Sequence, residues 1–141
     1  MNLAIILVSC ILWFWFLGCT ISWRIGKILL VEGTGTKAIE FKVLLLFTGT
    51  FLLYILFPSA VQWALLVELS LWLSVQFLCH WRYTLWGATP QKIKGYNECF
   101  KGTLRLFPTS ETRLVPDLYH IVLHILIAVD LILVVLEILK K

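Results

Sequence analysis

Five ionisable side chains stand where a bilayer would bury them. Glu68 lies inside the apolar run 60–80 and Asp130 inside the run 117–139; His80 closes the first of these, and His120 and His124 open the second. An ionisable group at bilayer depth costs roughly 2.5–3.5 kcal/mol, so its position asks for a reason. At helical rise Glu68 sits ~12 Å and Asp130 ~13–14 Å from the same membrane face. Thr48 and Thr50 in a neighbouring run, and Ser9 and Cys10 in the first, fall near that level. Two carboxyls that meet in a low dielectric cannot both ionise; one keeps its proton, and the pair can carry a proton or bind a cation. Glu68, Asp130, Thr48 and Thr50 are therefore the candidate ion or proton site. Alternatively, each acid is protonated, bonds to a neighbouring Gln, Thr or Ser and fixes packing, or faces a partner subunit.

The histidines form a second candidate layer. His120 and His124 are an i,i+4 pair on one helix face and could clamp a metal. Cys79-His80 and Tyr119-His120 meet the same end of the bundle, so His80, His120 and His124 could hold a metal, a haem or a lipid head group. Neither H-E-x-x-H nor C-x-x-C is present. The favoured reading is that the histidines hydrogen-bond head groups or backbone.

The elements that must position these residues are membrane helices. The chain is 60% hydrophobic and 14% charged, with a mean hydropathy of +0.92, well away from the quarter-charged composition of soluble domains. The pattern predicts an all-α, multi-pass integral membrane protein: a single domain over 1–141, a bundle of four transmembrane helices near 3–22, 38–57, 60–80 and 117–139. The first run has no basic residues before it and no A-x-A site, so it is expected to remain as a helix rather than act as a cleaved signal. Gly49 between Thr48 and Thr50 is expected to let another helix approach closely. Pro58-Ser59 forces the second and third spans into a hairpin. The four cysteines, Cys10, Cys19, Cys79 and Cys99, are expected to be small apolar fillers rather than a disulfide framework.

Residues 23–37 read as a basic loop, with Gly33-Thr34-Gly35 as its turn signal; no phosphate-binding glycine pattern is present. In the long loop 81–117, Thr89 and Pro90 read as the cap and first position of a helix. Ile93, Tyr96, Phe100 and Leu104 then recur at helical spacing, with Lys92, Lys94, Lys101 and Arg105 off that stripe. An amphipathic helix over 90–106, lying on the cytoplasmic membrane surface and contacting anionic lipid through those four cations, is expected. The basic loops place that side in the cytoplasm and both termini outside, against a counter-signal from Lys140 and Lys141. The net charge of +4 follows from those loops and does not point to nucleic acid.

These features favour a transport or channel component that works as an oligomer or as a subunit of a larger membrane complex. The expected partners are membrane lipids and either further copies or other membrane subunits; no cofactor is assigned. One alternative is a non-catalytic adaptor or cargo receptor. Another is a membrane enzyme acting on a lipid or isoprenoid at the cytoplasmic interface, with His80, Arg82, His120 and Glu98 as its chemical groups. Glu98-Cys99-Phe100-Lys101, followed by Tyr119-His120, resembles the cornichon cargo receptors, which have four spans and both termini outside. That resemblance covers two short patches, lacks the family's Asn-Pro segment after the first span, and implies the adaptor reading.

Overall fold

The structure, a computed structural model, describes residues 2–140; Lys141 of the C-terminal lysine pair lies outside them. Helix α1 (Leu3–Phe16) starts at Asn2, whose side chain accepts from the Ala4 N–H at 3.0 Å, and runs on through a 3₁₀ turn at Leu17–Cys19. A short hairpin follows, β1 (Trp23–Ile25) and β2 (Ile28–Val31). Then come α2 (Ile39–Leu56), α3 (Pro58–Trp86), α4 (Pro90–Cys99) and α5 (Leu118–Leu139). Helices α2, α3 and α5 are long and apolar enough to cross a membrane; Leu3–Cys19 is a shorter apolar helix. Such runs hold helix because straight-chain and branched apolar residues dominate them without an internal proline.

Pro58 begins α3 directly after Phe57, since proline fits the first helical position, where its missing N–H costs nothing. This makes α2 and α3 the expected tight hairpin. Helix α3 is longer than the expected 60–80. It passes through one π-helical turn, Phe77–Trp81, and stops at Gly87, whose φ of +85° suits glycine. The extra residue in a π turn rotates the helical face beyond it, here burying His80 while Trp81 reaches α5.

The four long helices close a ring: α2 packs on α3, α3 on α5, α5 on α1 and α1 on α2. Ile5, Leu12, Phe47, Leu65, Leu69 and Ile127 fill it. Helix α1 runs antiparallel along α5, joined at three levels. Asn2 Nδ2 donates to Glu137 Oε2 at 3.0 Å, Ser9 Oγ to Asp130 Oδ2 at 2.7 Å, and Trp15 Nε1 to the Tyr119 carbonyl at 3.0 Å.

Three expectations are corrected. The segment 23–37 contains a hairpin, so the fold is not wholly α. Its two-residue turn has Gly26 first, at φ +60°, the arrangement of a II′ turn. The amphipathic helix ends at Cys99, not 106. Phe100 leaves helical geometry, Gly102 takes φ +86°, and the Leu104 N–H bonds back to the Leu29 carbonyl at 3.0 Å. Gly49 has open space where a neighbour was expected, so no helix packs against it among the described residues.

The connection after β2 is fixed by Gly33. A Cβ there would lie 2.5 Å from the Thr20 carbonyl oxygen, and the Gly33 N–H already donates to Ser22 Oγ. Because the obstacle is backbone, Gly33→Ala should destabilise by roughly 1–3 kcal/mol, read as a lower unfolding midpoint in detergent. An unchanged midpoint would mean that the hairpin does not dock this way.

Candidate functional site

One end of the ring is closed by the hairpin, by α4 and by the loop leading into α5, and the three histidines converge there. The π turn of α3 supplies His80; the first turns of α5 supply His120 and His124. The ring centroids of His80 and His120 are 4.9 Å apart, those of His80 and His124 5.1 Å, and those of His120 and His124 6.1 Å.

Each imidazole is held by a different partner, and the partners set its chemistry. Trp81 Nε1 donates to His124 Nδ1 at 2.8 Å, and His124 Nε2 lies 3.0 Å from Gln76 Oε1. An indole only donates, so Nδ1 of His124 carries no proton and its Nε2–H goes to Gln76. This ring is neutral and has no nitrogen to spare. His80 Nδ1 lies 2.8 Å from the Tyr96 hydroxyl. His120 Nδ1 lies 2.7 Å from Asp117 Oδ1, which also accepts the His120 backbone N–H at 2.9 Å. No protein group bonds Nε2 of His80 or of His120 among the described residues.

Asp117 is the N-cap of α5 and is fully enclosed by the protein. Burial pushes its carboxyl up, but the hydrogen bond and charge of His120, the backbone N–H and the nearby Thr103 hydroxyl outweigh it and hold the pKa below the usual carboxylate value. An ionised carboxylate can only accept, so Nδ1 of His120 carries a proton whether or not the ring is charged, and when the ring is neutral Nε2 presents its lone pair. Burial, followed by the Asp117 charge, pushes the Tyr96 phenol up, so it stays protonated beside His80. When that hydroxyl donates to Nδ1, His80 offers Nε2–H. The outcome is one hydrogen-bond acceptor and one donor side by side.

These two rings form part of the wall of a cavity of about 610 Å³. Phe16, Val43, Trp72, Val75 and Leu123 line it on the bundle side, Val31, Thr34 and Phe100 on the hairpin and loop side, with Glu32, Glu40, Cys79 and Cys99 among its polar residues. The volume is within the range of small-ligand sites, and a mainly apolar wall with a few placed polar groups is their usual character. No group of three or more His, Cys, Asp or Glu side chains suited to a metal occurs among the described residues. All four cysteines are free; Cys19 is buried against the Tyr119 hydroxyl and the other three are exposed.

The carboxylate layer is arranged differently from the pair reading. Asp130 is completely buried and bonded to Ser9 on α1, while its Oδ1 has no partner. Glu68 lines a separate apolar groove between α2 and α3 together with Thr50; both its oxygens are buried and neither makes a hydrogen bond. No hydrogen bond joins the two acids. Thr48 belongs to neither: its hydroxyl accepts from Trp13 Nε1 at 2.8 Å and donates to the Leu44 carbonyl at 2.6 Å.

The stripe expected to face lipid faces the histidines. Ile93 is buried, Tyr96 and Phe100 lie edge-on or tilted against His80, and Phe100 also meets His120. Lys92, Lys94 and Lys101 remain exposed, with Lys92 over the Tyr83 ring at 4.8 Å. Arg105 bonds Asn97 at 2.8 Å. Arg82 and Glu98 are exposed and do not line the cavity. Sequence reasoning left Asp117, Tyr96, Trp81 and Gln76 outside the histidine layer. For Asp117 a signal existed, an Asp at the cap three residues before a His; for the others only the fold supplies it.

Comparison with protein-family models, with curated proteins and with solved structures finds no match for this chain.

The Asp117–His120 contact makes a pH prediction. A carboxyl with a depressed native pKa adds stability above its unfolded value and loses it as pH falls through the native one. Asp117→Asn should therefore unfold earlier than wild type at pH 7, by roughly 1.5–3 kcal/mol for a hydrogen bond to a charged group. The gap should close as pH falls from about 4 towards the native pKa. Denaturation in detergent across that range checks it, and a gap independent of pH would show that the charge of Asp117 contributes nothing.

Proposed function

We propose that this is a four-span integral membrane protein whose histidine-lined cavity binds the polar head of a membrane amphiphile and performs acid–base chemistry on it. What carries the reading is the pair of open Nε2 atoms on His80 and His120 at the wall of the cavity. They are held by Tyr96 and by Asp117, one an acceptor when its ring is neutral and the other able to donate.

For a hydroxyl or ester head group the roles follow from that pairing. His120 Nε2 takes the proton of an attacking hydroxyl or water, His80 Nε2–H donates a hydrogen bond to the developing oxyanion, and the His120 imidazolium then gives its Nε2 proton to the departing oxygen, which restores the starting state. Asp117 holds the imidazole in the required tautomer and stabilises its charged form. Glu32 and Glu40 in the wall disfavour an anionic head, so the substrate is uncharged or cationic there. The separation of Glu68 from Asp130 removes support from a paired ion site and so from the transport reading.

Helix α1 as the fourth span is supported by its run alongside α5 from Glu137 to Tyr119, nearly the whole length of a helix that can cross a bilayer. The histidine end then lies in the cytoplasm, with the exposed Lys92, Lys94 and Lys101 towards anionic lipid and both chain ends on the far side. Single cysteines at Gly35 and Gly87, in an otherwise cysteine-free chain, should label only from the cytoplasmic side; labelling from outside reverses the orientation.

The activity test uses the protein in lipid nanodiscs containing total membrane lipid extract, with products followed by mass spectrometry. A new or depleted lipid species should appear with wild type and fall about 10²–10⁴-fold with His120→Gln, the usual contribution of a positioned acid or base. An unchanged lipid profile in wild type, combined with a proton flux in liposomes that Glu68→Gln abolishes, would replace this reading with transport.

A further inference from the structure

The groove holding Glu68 and the cavity holding His80 and His120 adjoin. Val43, Trp72 and Val75 line both. The groove occupies the outer face of the α2–α3 hairpin, has a volume of about 670 Å³, and is apolar except for Thr50 and Glu68. Several of its walls, among them Trp63, Val67, Leu71 and Val75, are exposed on the flank of helices that can cross a membrane. Groove and cavity therefore make one path, polar at the histidine end and apolar along the bundle flank.

We infer that this path takes one hydrophobic chain of the substrate, laid in the groove between α2 and α3 while its head sits at His80 and His120, and that it loads sideways from the bilayer. This rests on the reading of the histidine cavity as a head-group site. Orientation supports it, because a lipid places its head at the interface and its tail towards the midplane, and the path runs the same way. Length supports it too. From His80 to Glu68 along α3 is ~18 Å at helical rise, slightly more than the ~15 Å half-thickness of the hydrocarbon core. The substrate class is thus an amphiphile with an uncharged or cationic head, and Glu68 with Thr50 marks where the chain ends. Leu71 is exposed in the wall between Val75 and Glu68, so it is the place to obstruct the path.

The test uses photoreactive alcohols carrying a diazirine at the chain end, one of about 8 carbons and one of about 16, the longer matching the half-thickness of the core. They are crosslinked to the full chain in nanodiscs, and the adducts are mapped by mass spectrometry. The long probe should label Thr50 and the stretch from Val67 to Leu71. The short one should label near Trp72 and Val75. Leu71→Trp should cut the long-probe adducts at least tenfold and leave the short-probe adducts in place. Even labelling by the long probe over the lipid flanks of α1 and α5, for instance at Leu7, Ile11, Ile125 and Ile132, would overturn the inference, as would indifference to Leu71→Trp. His120→Phe, which keeps a ring but no nitrogen, separates the two claims. Loss of groove labelling supports both. Groove labelling that persists in this variant leaves the chain path standing and removes the head-group reading.

Discussion

The structure depends on a single constraint: α5 is a membrane-length apolar helix that carries polar side chains along one face, and the bundle shuts most of them away from water. A buried polar group without a partner costs several kcal/mol in an apolar medium, so each neighbour of α5 is placed to supply one. Asn2 and Ser9 come from α1 to Glu137 and Asp130, and Trp81 and Gln76 come from α3 to His124. His120 finds its partner in the cap of its own helix. The antiparallel course of α1 and the π turn in α3 are the backbone arrangements that make these pairings reachable.

The same constraint separates packing from chemistry. Glu137 and His124 are engaged by side chains of the neighbouring helices, and Asp130 is engaged through one oxygen by Ser9. His80 and His120 differ, because each is gripped through Nδ1 alone, and its other nitrogen is left for something else. Tyr96 is central to this asymmetry. It arrives on α4 from the long loop, keeps its proton because it is buried, and so bonds His80 without taking up both of its nitrogens.

Much of this architecture was legible in the sequence, and the failures have physical causes. The apolar runs and Pro58 fixed the long helices to within a few residues, except where a π turn prolonged α3 past His80. Period and length locate helices, but neither reveals how a helix is rotated about its axis. Depth alone put Glu68 beside Asp130, whereas rotation turned Glu68 into the α2–α3 groove and Asp130 towards Ser9. The hairpin at Trp23–Val31 was masked by the stronger turn signal of Gly33-Thr34-Gly35. Its actual signal was Gly26-Lys27 between branched apolar residues, the two-residue turn that a hairpin prefers. The stripe Ile93, Tyr96, Phe100 gave the correct helix face but not what that face would cover, because protein and lipid ask for the same periodicity.

That ambiguity bears on how a small membrane protein can hold a site at all. The ring is packed with aliphatic and aromatic residues through its middle, and the cavity lies at one end. The end is then roofed by short elements, the hairpin and α4, that are cheap in chain length. Gly33 lets the hairpin connection press against Thr20, and Gly18 lies under Tyr119, where a Cβ would come within 2.9 Å of the ring. Tyr119 in turn stacks on Trp15 at 5.3 Å and bonds its carbonyl, tying the first turn of α5 to the end of α1. The turn that presents His120 is thereby braced from below by an aromatic stack and from its own cap by Asp117. A ring placed on a first turn braced from both sides keeps its direction, so the fold itself sets how His120 meets the cavity.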